Sequence, residues 1–137
     1  MRVGLRICGQ RGNSEVKRYI LQFAKWLRTE CEFPIRVPVY LLPGETFLTI
    51  DGKRCVASFF APWERTDEPY IRLATGDYPA LKKEHGKKVA LRMNIESMAR
   101  QIIRYQNWVR TGKLSDRGVT KKGEQLVEKY LRTLSQS

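Results

Sequence analysis

The sequence predicts an α+β domain: an N-terminal helix, a long central helix and a C-terminal helix packed on one face of a mostly antiparallel sheet. Three observations lead there. Apolar residues recur at helical spacing near the N-terminus and again through the last third. Alternating, β-prone runs fill the stretch between. Asp51-Gly52 separates two of those runs, and this dipeptide is a strong hairpin signal. At 137 residues the chain reads as a single domain over 1–137, long enough to bury roughly two-thirds of its unfolded surface.

Val3, Leu5 and Ile7 alternate with polar residues, so residues 2–8 read as a first strand. Asn13 or Ser14 can cap the helix that follows, which runs to about Glu30. Val16, Ile20, Phe23, Ala24 and Leu27 form its apolar face, and Lys17, Arg18, Lys25 and Arg28 fill the remainder. Residues 35–42 are extended, and Pro38, with no N–H to give a ladder, sends this run towards a sheet edge or a bulge. Residues 46–50 and 54–60 flank the Asp51-Gly52 turn, and residues 68–74 make one more short strand closed by Gly76-Asp77. Trp26, Trp63 and the run Phe59-Phe60-Ala61-Pro62-Trp63 read as mainly structural. Asp77 can cap a short helical turn to about Glu84, which Gly86 interrupts. From about 88 to 110, Leu91, Ile95, Met98, Ile102, Tyr105 and Val109 recur at steps of four and three, the stripe of one long helix. Gly112 stops it, and a last helix spans about 120–134.

Lys and Arg number 26 against 14 Asp and Glu, a net charge of +12. That balance suits a polyanionic partner or a strongly solvated surface. Cys8, Cys31 and Cys55 are odd in number and far apart, with no CxxC pair, which fits reduced thiols rather than a disulfide framework. The first seven residues lack the continuous apolar core of a signal peptide, and no run approaches the roughly 18 apolar residues of a membrane-spanning helix. A cytoplasmic protein with no membrane partner is expected. His85 is the only histidine, and its spacing from the cysteines suggests neither a zinc site nor a cysteine nucleophile with an oriented base. No cofactor is expected.

The stretch Ala99-Arg100-Gln101-Ile102-Ile103-Arg104-Tyr105-Gln106-Asn107-Trp108 resembles the active-site helix of the gluzincin-like zinc metallopeptidases. In those small bacterial proteins the helix reads His-Glu-x-x-His, often followed by aromatic, Gln and Trp residues. The two His, at i and i+4, hold zinc, and the Glu polarises the attacking water. Here Arg100, Gln101 and Arg104 stand at those positions. Arginine has no lone pair for a metal, and Gln is no base at neutral pH. The resemblance therefore implies a zincin-like scaffold whose peptidase chemistry is lost. The family's third ligand, usually a Glu, comes from the following helix, which makes Glu124 the corresponding residue here, with Glu128 one turn on as the alternative. Two guanidinium groups would carry the charge of the missing zinc, and one could pair bidentately with Glu124.

From spacing alone, Arg92, Glu96, Arg100 and Arg104 form a stripe with a Glu96–Arg100 pair. The leading expectation is a catalytically inactive, metallopeptidase-like protein that binds or regulates. Its ligand would be an acidic peptide or protein held in an arginine-lined cleft, with Arg100, Arg104 and Tyr105 as candidate ligand-binding residues. In the family an edge strand holds an extended peptide, and residues 54–60 are the corresponding run here. The alternative is a basic nucleic-acid-binding protein. Between Lys82 and Lys122, twelve Lys or Arg face only Glu84, Glu96 and Asp116. The doublets Lys82-Lys83, Lys87-Lys88 and Lys121-Lys122 mark element ends that can gather on one rim, and Tyr105 and Trp108 lie in the same stretch.

Overall fold

A computed structural model describes residues 3–9, 11–64 and 66–135; Arg2, where the expected first strand begins, lies outside them. Along the chain come β1 (Leu5–Cys8), α1 (Ser14–Glu30), β2 (Val37–Leu42), β3 (Phe47–Leu48), β4 (Arg54–Cys55), β5 (Ala57–Phe60), β6 (Tyr70–Ala74), α2 (Tyr78–His85), α3 (Lys87–Thr111) and α4 (Val119–Ser135). The protein is α+β, with four helices and a mixed sheet among the described residues.

The main sheet has the order β1-β2-β6-β5. β1 pairs with β2 and β2 with β6 in parallel; only β5 and β6 are antiparallel. The expectation of a mostly antiparallel sheet is corrected here, for a topological reason. α1 is a crossover that returns the chain to the starting end of the sheet, so β2 must run parallel to β1. β3 and β4 then leave the sheet and pair with each other around the Asp51-Gly52 turn, where Gly52 takes φ +81°. The run 54–60 is thus two strands in two sheets, parted at Val56.

Pro38 lies inside the central strand rather than at an edge. Val37 N–H donates to Gly4, and alternation turns the Pro38 nitrogen away from β1, towards β6. The β2–β6 register begins only at Val39↔Ile71, so no partner waits for the missing N–H.

Period-two alternation gives the sheet two unlike faces. Leu5, Val37, Val39, Leu41, Ile71, Leu73 and Phe59 are buried on one face, against Ile20, Phe23 and Leu27 of α1 and Ile95, Met98, Ile102 and Tyr105 of α3. Trp108 completes an aromatic cluster, its ring centroid 6.0 Å from that of Phe59. The opposite face carries Arg6, Cys8, Tyr40, Tyr70 and Arg72, and Tyr40 is 38% exposed.

The loops at the carboxyl ends of the parallel strands are stapled together. Buried Thr75 donates its hydroxyl to Leu42 O (2.8 Å) and accepts from Asn13 N–H (2.8 Å). Asn13 caps α1 by accepting from Glu15 and Val16 N–H at 3.0 and 3.2 Å. Asp77, by contrast, precedes α2 without a side-chain capping bond. α4 packs antiparallel on α3 through Gly123. A Cβ there would lie 3.2 Å from Arg100 Cγ and 3.3 Å from Arg100 N, so glycine permits the close approach.

Candidate functional site

On α3 the arginines are largely answered by their neighbours. Arg92 Nε donates to Glu96 at 2.7 Å, and its Nη2 lies 3.9 Å from Glu128. The expected Glu96–Arg100 pair is therefore replaced by Arg92–Glu96. That bond, with Glu128 and Glu124 adding to it, raises the Arg92 pKa above the usual arginine value. Arg104 Nε donates to Asp116 at 2.7 Å, and Nη1 donates to Gln101 Oε1 at 2.8 Å. Gln101 is buried. Among the described residues, neither Arg100 nor Arg104 forms an ion pair with Glu124. Arg104 takes its partner from the α3–α4 loop instead, and Glu124 stands exposed.

Tyr105 is fully buried, and its hydroxyl is committed to the Ile35 backbone as both donor and acceptor. That position puts it out of reach of a surface ligand. Arg100 lines a small cleft of about 200 Å³ with Val56, Leu73, Asp77, Asn94 and Glu96. Burial raises the pKa of Asp77 there, and its Oδ1 is buried with no partner among the described residues. The residues at the zinc-ligand positions do not fit a metal, since Arg100 and Arg104 offer no lone pair. Among the described residues no three His, Cys, Asp or Glu side chains come together.

The basic doublets do not share one rim. α4 meets α3 at Arg100, twelve residues from Lys88, which places Lys121-Lys122 and Lys87-Lys88 about 18 Å apart along the axis. Lys82 lies 3.5 Å from Glu15.

A more concentrated cationic surface lies on the uncovered sheet face. Arg6, Arg11, Lys17 and Arg72 line a groove of about 830 Å³ together with Tyr40 and Tyr70, and no Asp or Glu lines it. Cys8, Tyr40, Arg72 and Ser58 stand in register across four strands. The Arg72 guanidinium sits 4.5 Å from the Phe47 ring centroid and 5.7 Å from that of Tyr70. Phe60 stacks on Tyr70 at 4.9 Å with planes 19° apart, and Tyr40 meets Tyr70 edge-on at 6.1 Å.

Arg72 is held by rings rather than by a carboxylate, and its Nε is buried with no hydrogen-bond partner among the described residues. An unmatched buried donor of this kind costs about 1–3 kcal/mol. Among the described residues Arg6, Arg11 and Lys17 also form no ion pair within 4 Å.

The local sequence explains how these cations are aimed. Gly12 lets the β1–α1 turn lie on β2, since a Cβ there would stand 2.7 Å from Leu41 Cβ. That turn sets Arg11 and the first turn of α1, with Lys17, at the end of the groove. Trp63, expected to be structural, is 95% exposed in the β5–β6 loop.

Fold and site together define a basic α+β domain whose second sheet face is open to solvent at Arg6 and Tyr40 and partly covered by Phe47 at Arg72. Comparison with known proteins returns no matching family model, no matching curated protein and no matching solved structure. Among the described residues no helix is long and apolar enough to cross a membrane.

Proposed function

We propose that this chain is a nucleic-acid-binding protein whose interface is the uncovered face of the main sheet. One observation carries the reading: the groove gathers four cationic side chains and, among the described residues, no carboxylate. Repeating phosphates are the ligand chemistry that four separate cations can neutralise at once. A short acidic peptide would leave several of them unmet.

The test is salt dependence. Four phosphate contacts predict a slope of log affinity against log salt of about −3. A flat dependence, or no binding at low salt, would remove this reading.

A second reading, a catalytically inactive metallopeptidase-like protein that binds peptide, is favoured by a different observation. β5 is an edge strand, paired only with β6, and the cleft beside Arg100 opens next to it at Val56. An extended peptide can add to such an edge by main-chain hydrogen bonds. The variant combining Arg100→His, Gln101→Glu and Arg104→His should then bind zinc with Glu124 as third ligand. A folded triple variant that takes up no zinc argues against that ancestry.

A further inference from the structure

We infer that the open sheet face takes single-stranded nucleic acid, with a base stacking on Tyr40 while Arg72 and Arg6 hold phosphate. This deepens the nucleic-acid reading above and rests on it.

The face is built of rings as well as cations. Tyr40 is a large aromatic at the fourth residue of the central strand, and it is exposed although the strand's other flank is core. Tyr70, stacked by Phe60 and overlain by the Arg72 guanidinium, meets Tyr40 edge-on and so braces the exposed Tyr40 ring. A braced, exposed ring of this kind suits one unstacked base. A duplex keeps its bases stacked on one another and offers the protein only groove edges and backbone.

The cations alternate with the rings in the weave of the sheet. Arg72 is the registered neighbour of Tyr40, and Tyr70 lies two residues before it on the same strand and face, about 6.6 Å away. Arg6 stands on β1 at the same level as Pro38, so a cation flanks the aromatic pair on each side. Among the described residues Arg72 has no carboxylate partner, which leaves its guanidinium charge to be met by a phosphate. Phe60 and Phe47 back Tyr70 and Arg72, which stiffens the platform before any strand arrives.

The experiment uses the full chain, and fluorescence anisotropy with labelled oligo(dT), oligo(U) and a mixed-sequence duplex, each of about twenty units, at low and moderate salt. Tighter binding to oligo(dT) or oligo(U) than to duplex is expected, and the two single strands tell DNA from RNA. Tyr40→Ala should weaken single-strand binding roughly tenfold, erasing most of the preference over duplex. Arg72→Gln should weaken it by a similar factor and lower the salt slope by about 1. Because Tyr40 is already partly exposed, its alanine variant keeps the parental fold, which circular dichroism checks.

Equal affinity for duplex and single strand, with no response to Tyr40→Ala, overturns this inference while salt-dependent binding to both keeps the broader reading. Absence of salt-dependent binding to any of the three overturns both. Poly-glutamate competing as well as oligo(dT) also overturns it, since rings would then contribute nothing.

Discussion

Arginines stand on two surfaces of this molecule, and their surroundings differ. On α3, Arg92 and Arg104 are met by Glu96, Glu128, Asp116 and Gln101, so most of their charge is returned to the fold. On the open sheet face, Arg72 is met by two aromatic rings, and Arg6 and Arg11 by no carboxylate within 4 Å among the described residues. The helix face has the greater density of positive charge along the chain, yet the sheet face presents more of it to a ligand. What separates the two is the position of the acids. Glu96 follows Arg92 by one helical turn, whereas the polar positions of β1, β2 and β6 contain no acid at all.

If that contrast is right, changes on α3 should alter stability and leave nucleic-acid affinity alone. The largest effect is expected at the α3–α4 contact. Gly123→Leu places side-chain atoms where a Cβ alone would stand 3.3 Å from Arg100 N, and should cost about 3 kcal/mol in urea unfolding. Parental stability would show that the helices part easily and that the Arg100 face is open to a ligand after all. Arg104→Ala comes next. It takes the Nη1 donor from buried Gln101 and the ion-pair partner from Asp116, whose side chain is 79% exposed. The loss should be about 1–2 kcal/mol, nearly all of it from the buried amide. Oligo(dT) affinity should change less than about twofold, because one of several distant cations is removed. A tenfold loss of affinity with stability intact would move the interface to α3 and reverse the comparison.

The elements were legible in the sequence, and the helix ends especially so. Asn13 caps α1, Gly52 turns the β3–β4 hairpin, and Gly86 and Gly112 bound α3, because each feature is decided by residues close together in the chain. Strand partners were not legible. A period of two shows which face a side chain takes but leaves its neighbouring strand open, so a crossover through α1 and the excursion of β3 and β4 look the same as successive hairpins. Pro38 misled for the same reason: whether its missing donor matters depends on where β6 begins. The open face was missed because Arg6, Tyr40 and Arg72 belong to three strands, while the eye follows the run of lysines from 82 onward, which the helices spread apart. The usable signal was the outward position of each alternating run: Arg6, Tyr40, then Tyr70 and Arg72, cationic or aromatic each time.

The smallest effect concerns Glu15, an acid on α1 close in sequence to Lys17, which lines the groove. Glu15 precedes Lys17 by two residues on α1, but its carboxylate accepts from Tyr78 Oη at 2.6 Å and lies 3.5 Å from Lys82 Nζ. The Tyr78 hydrogen bond is the main reason the Glu15 carboxyl sits below its ordinary range. Burial, with Glu15 adding to it, pushes the Tyr78 phenol up to about 12. A tyrosine that binds its proton more tightly when folded stabilises fully below pH 10, and that contribution is lost as pH rises towards 12. Glu15 acts in the other direction: its contribution is present above pH 4.5 and lost as pH falls. Tyr78→Phe keeps the ring and removes the bond, so the melting temperature at pH 7 should fall by about 3 °C. The gap between variant and parent should narrow as pH falls below 4.5 and as it rises past 10, closing on the alkaline side only towards pH 12. Oligo(dT) affinity at pH 7 should change by no more than about twofold, since Glu15 and Lys17 are two residues apart on α1 and face different ways. A gap that stays constant with pH would mean that Tyr78 does not hold Glu15.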